Sequence, residues 1–124
     1  MLIEKRTKPA VIKKGPVNGA KDKSDFVDSD KYRNCIKRCN EKISRNHRDE
    51  LAYLERGDAQ LYLDNPKEAL NDYRRTIEIN PNSIKAYYGL ATVHMMLGFH
   101  KNAICELTKA MELEQQLMER TQET

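Results

Sequence analysis

The sequence predicts an all-α fold: antiparallel helical hairpins stacked as a short solenoid, with a basic flexible N-terminal tail. Three observations carry this reading. The first is self-similarity at a spacing of 34 residues between Asp49 and Leu117. Tyr53 answers Tyr87, Gly57 answers Ala91, Ala69 answers Ala103 and Leu70 answers Ile104; Tyr73 answers Leu107, Thr76 answers Ala110, Ile77 answers Met111 and Ile79 answers Leu113. The second is the placing of small residues. Antiparallel helices approach closely only where side chains are small, so Gly57 should face Ala69 and Ala91 should face Ala103, with Tyr53, Tyr73, Tyr87 and Leu107 filling the space on either side. The third is punctuation, with Asn65-Pro66, Asn80-Pro81-Asn82 and Gly98 falling between the periodic segments. A single hairpin cannot bury its apolar face, so such units need neighbours.

Taken in order, residues 1–28 read as the tail. Pro9, Gly15, Pro16 and Gly19 interrupt any helix, and no apolar period appears. Residues 1–23 hold seven Lys or Arg against Glu4 and Asp22, a surplus of five positive charges in a chain of net charge +3. The basic character therefore belongs to the tail and not to the repeats, which argues against a nucleic-acid-binding solenoid. The tail lacks the apolar core of a secretory signal, and Glu4 with two prolines makes a poor transit peptide. Its short run Pro9-Ala10-Val11-Ile12, between Lys8 and Lys13-Lys14, suits docking as an extended peptide.

The helical domain is expected over 29–124, divided as a degenerate half repeat (29–46), two repeats (50–83 and 84–117) and a C-terminal helix extension (118–124). Ser29 or Asp30 can cap the first helix, and Tyr32, Ile36, Cys39 and Ile43 recur on one face of it. In the register of the repeats Cys35 stands where Ala69 and Ala103 do, and Cys39 where Tyr73 and Leu107 do. Residues 16–28 offer no preceding helix, so the array counts about two and a half repeats. Asp49 caps a helix near Glu50 to Leu63, and Asn65 with Pro66 and Glu68 opens the next, which runs to about Ile79. Ser83 caps the following helix, and Gly98 is the expected left-handed residue at its end. The last helix starts near His100, and Met111, Leu113, Leu117 and Met118 are expected to continue its apolar stripe over the end of the stack.

These residues resemble the tetratricopeptide repeat (TPR) family, whose helix-turn-helix unit runs aromatic, Leu-Gly, Tyr, Ala-x-x-x-Phe, Pro. Tyr53, Gly57, Ala69, Tyr73 and Pro81 stand at those offsets, then Tyr87, Leu90, Ala91, Ala103 and Leu107. The departures are Arg56 for Leu, Gln60 and His94 for Tyr, and Gln115 for Pro. Many members of the family hold the C-terminal carboxylate of a chaperone with a clamp of Lys, Asn and Arg. At the matching positions here Lys85 fits, but Glu55 replaces an Asn and Gly89 an Arg, while Leu54 and Asp58 fail the alternative register. The resemblance therefore implies a protein-binding module without that clamp.

Composition narrows the remaining classes. At 124 residues, with 33% charged and 6% aromatic residues and no Trp, the chain has room for one modest core. Three cysteines form no disulfide framework and suit a reducing compartment. Two of them, Cys35-x-x-x-Cys39, share a helical face as metal ligands can, but they lack two further ligands and occupy core positions of the repeat. Neither a metal nor a cofactor is expected. There is no phosphate loop, carboxylate pair or nucleophile–base arrangement, so no catalytic residue is assigned and the chain reads as a non-enzyme.

The reading is a non-enzymatic protein–protein adaptor or scaffold subunit that binds a partner peptide or helix in an apolar concave groove. By the family resemblance that groove is lined by the first helix of each hairpin: Leu51, Leu54, Asp58, Leu61 and Tyr62, then Lys85, Tyr88, Thr92, Met95 and Met96. Met and Tyr suit an adaptable peptide groove. The partner is another protein, with no small-molecule substrate, nucleic acid or membrane span. A cytoplasmic location is expected, with cilium and nucleus left open. Two alternatives stand beside it: a self-associating (homodimeric) subunit of a larger assembly, for example ciliary or chaperone-linked, and a protein that docks its basic tail on an acidic surface.

Overall fold

A computed structural model describes residues 21–123, with side chains over 29–122. The chain divides after Lys31 into two units, and the described part of the first is the opening of one helix. Among the described residues there are five helices and no strand: α1 (Lys21–Arg45), α2 (Glu50–Tyr62), α3 (Pro66–Ile79), α4 (Ile84–Met96) and α5 (His100–Glu123). Of the tail assigned to residues 1–28, residues 1–20, including the Pro9–Ile12 run, lie outside the described residues.

α1 corrects one boundary. It begins at Lys21, well before the Ser29 or Asp30 start that the apolar period indicates. No Pro or Gly stands between residues 21 and 45 to stop it, so helix runs past the point where the apolar face ends. The other boundaries fall close to where the local signals put them. Asp49 accepts the Ala52 backbone N–H at 3.1 Å, and Ser83 accepts that of Ala86 at 3.3 Å, each satisfying a donor that a helix start leaves unpaired. Asn65 stands at the N-cap of α3 but makes no capping bond; its amide donates to Gln60 Oε1 at 2.9 Å, and Pro66 carries the start of the helix.

The turns repeat as well. Gly98 adopts φ +85°, the left-handed residue expected after α4, and Asp64, 34 residues earlier, adopts φ 63°. Nothing lies within 4 Å of a Cβ added at Gly98, so glycine serves there for backbone conformation and not for space.

The core sits where α2, α3 and α4 meet. Leu54, Ala69, Tyr73, Ala86, Leu90 and Val93 form its buried cluster, with Leu61, Leu70, Ile77 and Leu97 packed against it. The predicted small positions Ala69, Ala91, Ala103, Thr76 and Ala110 are all buried. Gly57 does not simply look across to Ala69, because the Tyr73 ring occupies the space beside it, 3.0 Å from where a Cβ would stand. At the far end only Leu113 of the predicted covering stripe is buried; Met111, Leu117 and Met118 are exposed. Helical spacing placed them on one stripe, but only Leu113 and Leu117 border a cleft with Asn82 and Ile84, and Leu117 stays 53% exposed there.

Candidate interaction groove

The site is built from Tyr73 upward. Its ring is fully buried on α3, with Gly57 of α2 on one side and Gly89 of α4 on another. A Cβ at Gly89 would stand 2.5 Å from the ring carbons Cε1 and Cζ, so α4 reaches this position only without a side chain there. The Tyr73 hydroxyl donates to Asp58 Oδ1 on α2. Burial, and next the Asp58 carboxylate that accepts the proton's hydrogen bond, push the phenol well above its ordinary range. Tyr73 is thus a fixed donor, and it holds the Asp58 carboxylate in place.

Above that carboxylate, Asp58, Leu61 and Tyr62 of α2 and Thr92 and Met96 of α4 line a groove of about 450 Å³. Tyr62 stacks flat on Tyr32 of α1, with centroids 4.5 Å apart and planes within 5°. Its residue surface is 69% exposed, so the face away from Tyr32 is open to solvent. Thr92 donates to the Tyr88 carbonyl one turn back at 2.9 Å, which leaves its methyl as the apolar contribution. The Asp58 carboxylate makes no salt bridge among the described residues; its partner is the neutral Tyr73 hydroxyl.

Of the ten residues expected to line a groove, these five come together. Leu54 does not join them: at 8% exposure it belongs to the core between hairpins. Leu51, Lys85, Met95 and Tyr88 are exposed but stand outside this lining. Tyr88 instead donates to Glu114 Oε1 of α5 at 2.8 Å.

Three polar features were missed from sequence, and two of them explain departures from the repeat pattern. Arg56 stands where the family has Leu. It forks onto Asp72 of α3, with Nε to Oδ2 at 3.0 Å and Nη2 to Oδ1 at 2.7 Å, and reaches Asn40 of α1 at 2.8 Å. The bond to Asp72 holds the guanidinium further above its already high range. His94 stands where the family has Tyr; it is buried, with Nδ1 2.6 Å from Glu106 Oε1 and its ring edge-on to Phe99. The third is the Asp58–Tyr73 bond itself. A usable signal existed in the hairpin register, since Cys39–Glu55, Asn40–Arg56 and Arg56–Asp72 are all 16 residues apart.

A second cleft of about 250 Å³ lies beside Arg56, Asp72, Asn40 and Gln60, but its central charges are spent on one another. The cysteines are free: Cys39 is buried, Cys35 half-buried and Cys105 exposed. Burial, and next the neighbouring Cys35, push the Cys39 thiol up to about 12. Thiolate is the reactive form, so alkylation with iodoacetamide should rank Cys105 first, Cys35 next and Cys39 last. Equal rates at Cys39 and Cys105, followed by mass spectrometry, would show that α1 opens readily. Among the described residues no group of His, Cys, Asp and Glu is arranged to hold a metal, and no helix is long and apolar enough to cross a membrane.

The groove and its hairpins compare with known proteins as follows. A family model described as "TPR repeat" matches residues 57–98. Hsp70-Hsp90 organizing protein 2 of Arabidopsis thaliana is 29% identical over 89 residues, covering 72% of this chain and 16% of that protein. The crystal structure of MamA superposes with a TM-score of 0.70 at 24% identity, over 73% of this chain and 53% of that one. The second TPR of Spaghetti (RPAP3), solved with the HSP90 peptide SRMEEVD, gives a TM-score of 0.66 at 23% identity, over 75% of this chain and 87% of that one. The chain therefore spans about a sixth of the curated relative's length and about half of MamA's. With the 34-residue spacing, the stacked hairpins and a family model over residues 57–98 in agreement, the described chain has the tetratricopeptide repeat fold.

Proposed function

We propose that this chain is a non-enzymatic adaptor that binds a peptide or helix of another protein in the groove between α2 and α4. The observation that carries the reading is the convergence of Leu61, Tyr62, Thr92 and Met96 around Asp58 in one open groove. Exposed aromatic and Met side chains in a concave setting give large contact area and adapt to the segment they receive. The HSP90-peptide complex of the structurally similar RPAP3 repeat supports peptide binding by this architecture. Capture of a chain-terminal carboxylate is not part of the reading. Asp58 would repel it, Glu55 at the clamp's Asn position is turned to Lys42 and Cys39 of α1, and the Tyr73 ring leaves Gly89 no room for the clamp's arginine.

The test is affinity, by fluorescence anisotropy, for peptides selected from a random library against the native protein. Met96→Glu and Tyr62→Ala should each weaken binding by about tenfold or more, as loss of a central anchor does, and Lys109→Ala on the exposed side of α5 should change it little. Unchanged affinity in both groove variants would sink the reading. A peptide with a free C-terminal carboxylate should bind no better than its amidated form.

Self-association is the second reading, favoured by one observation. Ile104 and Met111 on α5 repeat Leu70 and Ile77 on α3, which pack against the core, yet they are 62% and 61% exposed. Mass in solution that rises with protein concentration, and ceases to do so in Met111→Glu, would support it; a constant monomer mass would remove it.

A further inference from the structure

The groove combines two features that together select a kind of occupant: a fixed carboxylate and an aromatic face one helical turn away. Asp58 and Tyr62 are four residues apart on α2, hence neighbours on one helix face. The carboxylate is held from below by the buried Tyr73 hydroxyl and has no cation among the described residues. Any segment that fills the groove also takes Asp58 out of water. Covering an ionised carboxylate is strongly unfavourable unless the ligand supplies a charged donor. A purely apolar segment therefore pays a penalty here, and a segment ending in a carboxylate adds repulsion. The open face of Tyr62 narrows the choice of cation. A guanidinium is planar, forks onto a carboxylate with two parallel N–H donors and lies flat on an aromatic ring, whereas an ammonium is a compact, strongly hydrated point charge.

Resting on the groove reading above, we infer that the partner segment inserts an arginine. Its guanidinium lies on Asp58 and the free face of Tyr62, and apolar neighbours in the segment meet Leu61 and Met96. The recognised class is thus an internal peptide or helix with an arginine in apolar flanks.

The probes are capped peptides, acetylated and amidated, in which one arginine stands between leucines, with lysine and citrulline counterparts. Citrulline keeps the shape and loses the charge. Titration calorimetry on the full chain should give binding to the arginine peptide about tenfold or more tighter than to the citrulline one, with lysine between them. Asp58→Asn should erase that preference while leaving the melting temperature unchanged, because the amide oxygen still accepts from Tyr73. Tyr62→Leu should remove the advantage of arginine over lysine and keep the preference for charge. Equal affinity for arginine and citrulline, a preference that survives Asp58→Asn, or no binding of any probe would overturn the inference. The groove reading is scored separately by Met96→Glu. If the citrulline peptide binds as well as the arginine one, and Met96→Glu abolishes both, the groove stands and arginine selection falls. If binding is indifferent to Met96→Glu, both fall.

Discussion

Arg56→Met is expected to destabilise the protein by about 3 kcal/mol, toward the lower end for breaking a buried ion pair. The cost arises on the partner. The Asp72 side chain is 6% exposed and the Arg56 side chain 24%, so removing the guanidinium leaves a carboxylate with little water and no counter-charge. The paired Asn40 is exposed and can turn to solvent, so it adds little. Because the penalty belongs to the stranded acid, Arg56→Met combined with Asp72→Leu should recover most of the loss, and its effect is not the sum of the two single changes. Urea unfolding, extrapolated linearly, measures all three variants. A loss below about 1 kcal/mol in Arg56→Met would mean that water reaches Asp72 freely and that the pair behaves as a surface one.

Gly89→Ala is expected to destabilise by about 2 kcal/mol, against the direction that helix propensity alone would give. Alanine improves on glycine within a helix by about 1 kcal/mol. Here the new methyl would stand 2.5 Å from two carbons of the Tyr73 ring, and that ring is fully buried with its hydroxyl tied to Asp58. It cannot swing aside as the tip of a flexible chain would, so α4 must shift, and overpacking of this kind typically costs about 1–3 kcal/mol. Gly57→Ala meets the same ring at 3.0 Å and should cost less. In a Tyr73→Leu background, with the ring gone, Gly89→Ala should become neutral or stabilising. Thermal melting of the four variants decides it: a Gly89→Ala protein as stable as the parent would show that Tyr73 does not set the approach of α4.

The groove was legible in part because one-turn spacing along α2 and α4 is a local property. Asp58, Leu61 and Tyr62, and likewise Thr92 and Met96, share helix faces whatever else the chain does. Leu54 shows the limit. It lies seven residues before Leu61, on the same stripe, yet it is core while Leu61 borders the groove. Periodicity identifies a stripe; only the crossing of α4 over α2 decides how far along it burial extends. Gly89 shows the same limit from the other side. Read as a missing arginine, it is the position that makes room for an aromatic ring sixteen residues earlier.

The sequence by itself determined the all-α hairpin array, its 34-residue repeat and most helix boundaries, because caps, proline stops and small-residue positions act within a few residues of where they stand. Tertiary structure alone decided which polar residues became partners: Arg56 with Asp72, His94 with Glu106, and Tyr73 with Asp58. Each pair joins two helices, so its formation depends on the distance and rotation between them, and no pattern within either helix contains those quantities. The sequence marks Arg56 as a departure from the repeat pattern and Asp58 as a residue of the expected groove. The packed hairpins closed Arg56 over the Asp72 carboxylate and left Asp58 with no cation among the described residues to neutralise it.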